Sequence, residues 1–189
     1  MQTQKELIKN KIMDAALEEF LVAGYTQSSM RNIALQAGIT VGNIYSYFSS
    51  KEDLYDLLLQ ETVEQLQQLI LIEVPRDNPL SAQSITEITH YVSQVFLKNR
   101  IQFLILMDGS GGSKYQNIKG SLIELVKNRI ITEAKSIPSG KKQDPALAES
   151  IAVALIEGIL HIFRKAGDNK KKLEKLVGEF LTLILGGFC

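Results

Sequence analysis

Two groups of residues could carry catalytic or metal-binding chemistry. Glu157 and His161 are four residues apart, a spacing that puts both on one helix face and can bind a metal. The Gly-rich loop 108–113 could cradle a phosphate or present a nucleophile, but it matches neither GxSxG nor the P-loop pattern. Cys189 is the only cysteine and His90 the only other histidine. The sequence therefore predicts a helix break at 108–113, no metal, no cofactor and no enzyme.

Helices must position any functional residues, because no segment shows the sustained alternation of apolar and polar residues that is typical of a strand. All four prolines follow residue 74, and the first 74 residues contain glycine only at 24, 38 and 42. The predicted fold is all-α with about nine helices: an N-terminal three-helix domain over 1–50, a linking fourth helix over 51–73 and a C-terminal helical domain over 74–189. The predicted helices span 4–23, 28–37, 40–48, 50–73, 80–98, 100–108, 114–136, 145–166 and 170–186, with a linker from Pro75 to Pro79.

The composition is that of an ordinary soluble protein of 189 residues, with 45% hydrophobic and 22% charged residues. The single cysteine and the lack of a continuous apolar leader predict a cytoplasmic protein. The apolar stretches 151–163 and 180–189 are interrupted by polar residues or are shorter than the roughly 20 residues of a membrane span, so they are predicted to be buried helices. The 21 basic and 21 acidic residues balance, which taken alone argues against a nucleic-acid partner.

The two short predicted helices on either side of Gly38 have the order of a helix-turn-helix, in which the second helix enters the major groove of DNA. Six apolar residues would form the inner face: Ile33, Ala34, Ala37, Ile39, Ile44 and Phe48. The outward face of the second helix is almost uncharged. A small helical hairpin of another kind would share this apolar pattern, so the pattern alone leaves both interpretations open.

The order of residues favours the first interpretation. Six short runs occur in register over residues 24–54: Gly24-Tyr25, Ile33-Ala34, Ala37-Gly-Ile-Thr40, Gly42-Asn-Ile-Tyr45, Tyr47-Phe48 and Ser50-Lys-Glu-Asp-Leu54. This stretch resembles the signature of TetR-family transcriptional regulators, and the resemblance covers about residues 5–60. It implies a homodimer that binds a palindromic double-stranded operator, and a C-terminal domain that takes a small-molecule effector.

The candidate DNA contacts have side chains suited to phosphates or base edges. Hydroxyls and free N–H groups at helix N-termini hold phosphates, and a glycine lets a helix approach the groove floor. A valine methyl can touch thymine, an amide can bond a base edge, and a tyrosine carries a hydroxyl on a rigid arm. The predicted contacts are Ser28, Ser29, Arg31, Thr40, Val41, Gly42, Asn43, Tyr45, Ser46, Tyr47 and Lys51. For Arg31, a surface ion pair with the first helix is an equal alternative.

Charge sets this chain apart from strongly basic repressors. Residues 1–60 carry five basic and seven acidic side chains, a net charge of −2. Affinity for DNA rises with the number of phosphates that a protein neutralises. The sequence therefore predicts weak non-specific binding and a shallow dependence of affinity on salt.

The C-terminal domain must provide a dimer interface and an effector pocket if the resemblance holds. By resemblance, the last two helices form a four-helix bundle with those of a partner. The predicted interface residues are Leu155, Ile159, Leu173, Leu176, Val177, Phe180, Leu181 and Ile184. The alternative is that these residues form the core of a monomer. The predicted pocket residues are Tyr91, Val95, Phe103, Met107, Leu122, Val126, Glu157 and His161, which suit a lipophilic effector.

Taken together, the sequence predicts a repressor that a small-molecule effector releases from DNA, with no membrane partner. An effector-independent regulator is the first alternative and a helical enzyme the second. An activator fits the same residues as a repressor.

Overall fold

The structure is a computed structural model that describes residues 3–71, 82–135 and 144–186, and these residues form nine α-helices and no strand. The helices are α1 (Gln4–Gln27), α2 (Met30–Gln36), α3 (Val41–Ile44), α4 (Lys51–Ile70), α5 (Ala82–Lys98), α6 (Arg100–Asp108), α7 (Ile118–Lys135), α8 (Pro145–Ala166) and α9 (Lys170–Gly186). The all-α prediction is confirmed. The predicted linker from Pro75 to Pro79, the predicted end of the fourth helix near Glu73, and Cys189 lie outside the described residues.

Contacts divide the chain into two compact units. The N-terminal unit joins Met1–Glu64 to Asn99–Ile118, and the C-terminal unit joins Gln65–Lys98 to Lys119–Cys189. The sequence predicts a domain over 1–50, a linking helix over 51–73 and a domain over 74–189, so α6 and the loop that follows it fall in a different unit from the one expected.

Helix α1 begins at a capping box and bends at a glycine. The Thr3 hydroxyl accepts from the Glu6 backbone N–H, and the Glu6 carboxylate accepts from the Thr3 N–H. Ile12, Ala16 and Phe20 are buried at the predicted four-residue spacing. Gly24 interrupts the helix with φ 67° and ψ 171°, after which one more turn runs to Gln27.

The loop between α6 and α7 belongs to the N-terminal unit because it bonds to the end of α1. The Tyr25 N–H donates to the Gly109 carbonyl over 2.8 Å, and the Thr26 hydroxyl donates to the Gly111 carbonyl over 2.7 Å. The Asp56 carboxylate on α4 pairs with the Lys114 ammonium over 2.5 Å and accepts from the Tyr115 hydroxyl. These bonds join residues up to 85 positions apart, which the spacing of apolar residues does not reveal.

Asp56 gives the N-terminal unit a pH-dependent contribution to stability. Hydrogen bonds from Lys114 and then Tyr115 lower the pKa of Asp56 below its ordinary value of 3.8. A carboxylate with a lowered pKa stabilises the fold above its unfolded-state pKa, and this contribution is lost as pH falls through the folded-state pKa. We expect Asp56→Asn to lower the free energy of unfolding by about 1 kcal/mol near neutral pH. Urea titrations of both proteins should show this difference shrinking below about pH 4, and a difference that stays constant would contradict the assignment.

The C-terminal unit is built on α5, α8 and α9. Asp144 caps α8 by accepting from the Ala146 N–H, and Pro145 stands at the start of the helix, where its missing donor costs nothing. Phe96 on α5 stacks on Phe163 on α8 with ring centroids 3.8 Å apart. Among the described residues α8 is the one helix long and apolar enough to cross a membrane. Its buried face, which includes Ala148, Leu155 and Phe163, lies in the core of the unit.

Two glycines inside helices of the C-terminal unit should respond oppositely to the same substitution. A Cβ atom at Gly158 on α8 would lie 2.2 Å from the ring of Phe180 on α9, whereas one at Gly120 on α7 would meet nothing within 4 Å. We expect Gly158→Ala to lower the free energy of unfolding by about 1–3 kcal/mol, because the ring must move. We expect Gly120→Ala to raise it by up to about 1 kcal/mol through helix propensity.

Urea unfolding of both variants and of the double variant Gly158→Ala, Phe180→Leu tests this account. The smaller Leu should recover most of the loss, since it removes the ring atoms that the new methyl would meet. An equal gain in stability from both alanines would show that the Phe180 ring yields at no cost.

Candidate nucleic-acid interface

The two short helices of the N-terminal unit are each started by a hydroxyl. The Ser29 hydroxyl accepts from the Asn32 N–H at the start of α2, and the Thr40 hydroxyl accepts from the Asn43 N–H at the start of α3. Gly38 turns the chain between them with φ 70°, and the Ile39 N–H closes the turn onto the Ala34 carbonyl over 3.0 Å. This is the helix, glycine turn and helix that the sequence predicts.

The inner face of the motif is fixed by apolar residues. Ile33, Ala34, Ile44 and Phe48 are buried, as predicted, while Ala37 and Ile39 are half-buried. The fully buried Ala34 has only a methyl group, which suits close packing between α2 and α3.

Helix α3 is shorter than predicted. Regular α-helix ends at Ile44 instead of Phe48, and the next residues form tighter turns. The Ser46 N–H bonds the Asn43 carbonyl and the Tyr47 N–H bonds the Ile44 carbonyl, both over 3.0 Å and both three residues back. The apolar pair Ile44 and Phe48 has the same four-residue spacing in either geometry, so the sequence could not place this end.

The outward face of α3 and of the turn that follows it is mostly exposed and has no charged side chain. Val41, Gly42, Asn43, Tyr45 and Ser46 are exposed, and Tyr47 is half-buried. The Ser46 hydroxyl donates to the Asn43 carbonyl over 2.7 Å. The face therefore carries the Asn43 amide, the Tyr45 and Tyr47 hydroxyls, the Val41 methyl groups and the backbone of Gly42. These groups suit the hydrogen-bond donors and acceptors and the thymine methyl groups of a major groove.

Comparison with known proteins assigns this motif. The sequence pattern of the bacterial regulatory proteins of the tetR family matches residues 12–58. Over this segment the chain is similar to the bacterial regulatory proteins of the tetR family. The match includes α2, α3 and the first part of α4.

Three further proteins are similar to this chain in sequence or in fold. The fatty acid metabolism regulator protein of Bacillus subtilis (strain 168) is 46% identical over 55 residues, which are 29% of this chain and 28% of that relative's length. A TetR-like regulator from Rhodococcus sp. RHA1 has the same fold over 96% of this chain and 95% of its own, with a TM-score of 0.65 and 18% identity. FadR from Bacillus subtilis, solved with stearoyl-CoA, covers 95% of this chain and 98% of its own, with a TM-score of 0.58 and 22% identity.

Two predicted contacts of the tetR-type interface have internal partners instead of an open position. The Ser28 side chain is buried, and its hydroxyl donates to the Tyr25 carbonyl over 2.8 Å. The Lys51 ammonium donates to the carbonyls of Tyr25, over 2.5 Å, and Ser28, over 3.0 Å, and lies 4.4 Å from the centroid of the Tyr25 ring. Desolvation lowers the pKa of Lys51, and the charge of Glu19 partly offsets this. Lys51 therefore fastens the connection between α1 and α2.

Outside the α3 face, three further predicted contacts are Ser29, Thr40 and Arg31. Ser29 and Thr40 serve as N-caps, so their hydroxyls already accept a backbone N–H, and a phosphate contact would use their remaining hydrogen-bonding capacity. Arg31 is exposed on α2. The uncharged outward face and Arg31 are thus exposed parts of the predicted interface.

One residue of the motif was missed from the sequence. Glu19 on α1 is 7% exposed, and its carboxylate accepts three hydrogen bonds from α2 and the N-cap of α2. From the sequence, Glu19 has no predicted role beyond its negative charge, because a buried carboxylate has no signature in apolar spacing.

The predicted effector residues are divided between the two units. Phe103 and Met107 belong to the N-terminal unit, and the other six belong to the C-terminal unit. Within the C-terminal unit Val95 and Leu122 are buried, Val126 is half-buried, and Tyr91 and His161 are exposed. The Glu157 carboxylate pairs with the Lys119 ammonium over 2.7 Å instead of with His161.

The predicted dimer residues are of two kinds. Leu155, Leu173, Val177 and Leu181 are buried within the chain's own C-terminal unit, so they form its core and are not available to a partner. Ile159, Leu176, Phe180 and Ile184 are half-buried, and they lie beside exposed apolar residues such as Val153 and Leu183. The apolar stripe on α9 thus contributes both to the core of the C-terminal unit and to its partly exposed surface.

Proposed function

We propose that this chain is a repressor that binds a palindromic operator as a homodimer and leaves it when a small molecule binds. The observation that carries the proposal is the exposed, uncharged face from Val41 to Tyr47, set on a helix-turn-helix in a domain of the tetR family. Such a face reads base edges and gains little from bulk electrostatics. The proposal places the protein in the cytoplasm and gives it no catalytic role, because the family consists of regulatory proteins.

The proposed dimer uses the outer surfaces of α8 and α9. Leu176, Phe180, Leu183 and Ile184 on α9 follow the spacing of one helical stripe, and Leu183 is 77% exposed. Apolar stripes of this kind are covered in helix bundles by a second pair of helices. A symmetric pair would present two α3 faces to two half-sites about 34–36 Å apart.

The proposed effector belongs to the long-chain acyl thioesters. A fatty acid metabolism regulator is the relative that is 46% identical over 55 residues, and FadR, which has a similar fold, was solved with stearoyl-CoA. The C-terminal unit has apolar candidates for the acyl chain in Val95, Leu122 and Val126. The six predicted pocket residues of that unit are therefore the first ones to substitute in tests of effector binding: Tyr91, Val95, Leu122, Val126, Glu157 and His161.

Release requires the effector to prefer the state that does not fit the operator. A preference of about 5.5 kcal/mol moves a population from 1:99 to 99:1. Helix α4 is the proposed mechanical link, because it begins in the N-terminal unit at Lys51 and ends in the C-terminal unit at Ile70. A shift of α4 would change the separation of the two α3 faces in the dimer.

Selection from a random duplex library tests the operator half of the proposal. We expect the wild-type chain to enrich a palindrome with half-sites about one helical turn apart. In a salt titration by fluorescence anisotropy, the logarithm of affinity should fall with a shallow slope, because residues 1–60 carry a net charge of −2. Failure to enrich any motif would refute the proposed function, and a slope of about −10 would refute the low-charge interface.

Addition of stearoyl-CoA to the complex with the selected duplex tests the effector half. Release of the duplex by stearoyl-CoA, and not by free coenzyme A, supports an acyl thioester effector. If acyl-CoA thioesters of every chain length leave the affinity for the duplex unchanged, an effector-independent regulator is favoured.

A further inference from the structure

Glu19 is a buried carboxylate whose three hydrogen bonds all reach one element. The Ser29 backbone N–H and the Asn32 amide donate to Oε1 over 3.2 and 3.0 Å, and the Gln36 amide donates to Oε2 over 2.9 Å. A carboxylate taken out of water is costly unless its oxygens are bonded, so burial of Glu19 depends on these donors. The nearby Lys51 ammonium interacts with it electrostatically.

The three donors cover the whole length of α2. Ser29 is its N-cap, Asn32 lies three residues on, and Gln36 is its last residue. Spacings of three and four residues put them on one side of the helix. The carboxylate therefore fixes both the rotation of α2 about its axis and its position along that axis.

α2 depends on such contacts because it is very short. A helix of seven residues is not stable by itself in water. Its buried apolar side chains are Met30, Ile33 and Ala34, and two of these three are small or flexible. Helix α3 is shorter still, with four residues, and the Ile39 N–H ties its approach to the Ala34 carbonyl of α2.

We propose that Glu19 is a positioning residue for operator recognition: it holds α2, and through α2 the α3 face, in the orientation that fits the major groove. The inference rests on the proposed function, since it concerns the same DNA interface. It assigns to a residue of α1 that contacts no DNA the task of setting specificity.

Four variants test this assignment with the duplex selected by the wild-type chain. Glu19→Leu removes all three acceptor bonds and replaces the buried carboxylate with an apolar group of similar size. Glu19→Gln keeps three hydrogen bonds but reverses one of them: its oxygen still accepts from Ser29 and Asn32, and its new amide N–H donates to the oxygen of the exposed Gln36 amide after that amide turns. Gln36→Glu sets two carboxylates against each other, and the double variant Glu19→Gln, Gln36→Glu restores a donor and an acceptor.

We expect Glu19→Leu and Gln36→Glu to bind the selected duplex about tenfold or more weakly, and Glu19→Gln and the double variant to stay within about threefold of wild type. Binding to a random duplex should not change for Glu19→Leu, because non-specific affinity comes from phosphate contacts. Glu19→Leu should lose little of its melting temperature, since the exposed Asn32 and Gln36 side chains can bond to water once the buried charge is gone. A drop in the ratio of specific to non-specific affinity is a readout that a purely structural residue would not move.

Each outcome separates the inference from the function beneath it. Wild-type affinity in Glu19→Leu, or a loss in every variant that only follows its melting temperature, overturns the role of Glu19 and leaves the repressor intact. If Glu19→Leu fails to fold, Gln36→Glu and the double variant decide, and a double variant as weak as Gln36→Glu overturns the role. A wild-type chain that selects no duplex refutes the repressor and the inference together.

Discussion

Tyr47→Ala is expected to weaken binding to the selected operator by about 5- to 150-fold while leaving the fold and the dimer intact. A single good contact to a base edge contributes about 1–3 kcal/mol, which corresponds to that range. Tyr47 is half-buried at the end of the turn after α3, beside the exposed Tyr45 and Ser46. Its ring has lost part of its freedom before DNA arrives, so little entropy remains to be lost on binding.

Fluorescence anisotropy and thermal unfolding of three variants give the measurement. Tyr47→Phe keeps the ring and removes the hydroxyl, so it separates a hydrogen bond to DNA from ring packing. Val22→Ala is the control, since Val22 is 87% exposed on α1 and lies outside the predicted contacts. Unchanged affinity in Tyr47→Ala, with wild-type melting, would remove Tyr47 from the interface.

The helices were predictable where their ends carry local signals. The predicted bounds of α6, α8 and α9 agree with the structure at 100–108, 145–166 and 170–186. α8 has Asp144 and Pro145 at its start, and Gly167 follows its end with φ 57°. Caps and glycines act over a few residues, so a single sequence is enough to read them. α3 lacked such a signal at its end, and its last four predicted residues were wrong as α-helix.

The partners of charged side chains were not predictable. Lys51 was predicted to reach a phosphate, and its ammonium is held by two carbonyls more than 20 residues earlier in the chain. Glu19 was counted only as an acidic charge on α1, yet its side chain is buried. Both depend on how α1 and α2 pack against each other. Apolar periodicity shows which face of a helix is buried, but not which polar group accompanies that face inward.

The apolar stripe on α9 shows the same limit for surfaces. The sequence marked Leu173, Val177 and Leu181 as a dimer interface, but they are buried in the chain's own C-terminal unit. Leu176, Phe180 and Ile184 are only half-buried. A broad stripe tells how much apolar surface a helix must cover, and the packing decides which part the chain covers by itself.

Gly24→Ala is expected to be the most destabilising of the proposed single substitutions in the N-terminal unit. The Gly24 backbone has φ 67° and ψ 171°, a region that residues with a Cβ atom rarely occupy. A Cβ atom there would also lie 3.3 Å from the Gly109 carbonyl oxygen, and backbone atoms cannot swing away as a side chain can. Strain of about 1–3 kcal/mol from the backbone and further crowding should lower the free energy of unfolding by about 3 kcal/mol.

Gly38→Ala is the matched control for this prediction. Gly38 has a similar φ of 70°, but a Cβ atom there would meet nothing within 4 Å. Gly38→Ala should therefore lower the free energy of unfolding only by the left-handed backbone strain, about 1–2 kcal/mol. Urea unfolding compares the two, and operator binding adds a second measurement, because the Tyr25 N–H that follows Gly24 holds the Gly109 carbonyl. Equal losses from both alanines would mean that the contact between Gly24 and Gly109 adds nothing to stability, whereas a larger loss at Gly24 identifies this close approach as what fastens the loop after α6 to the DNA-reading unit.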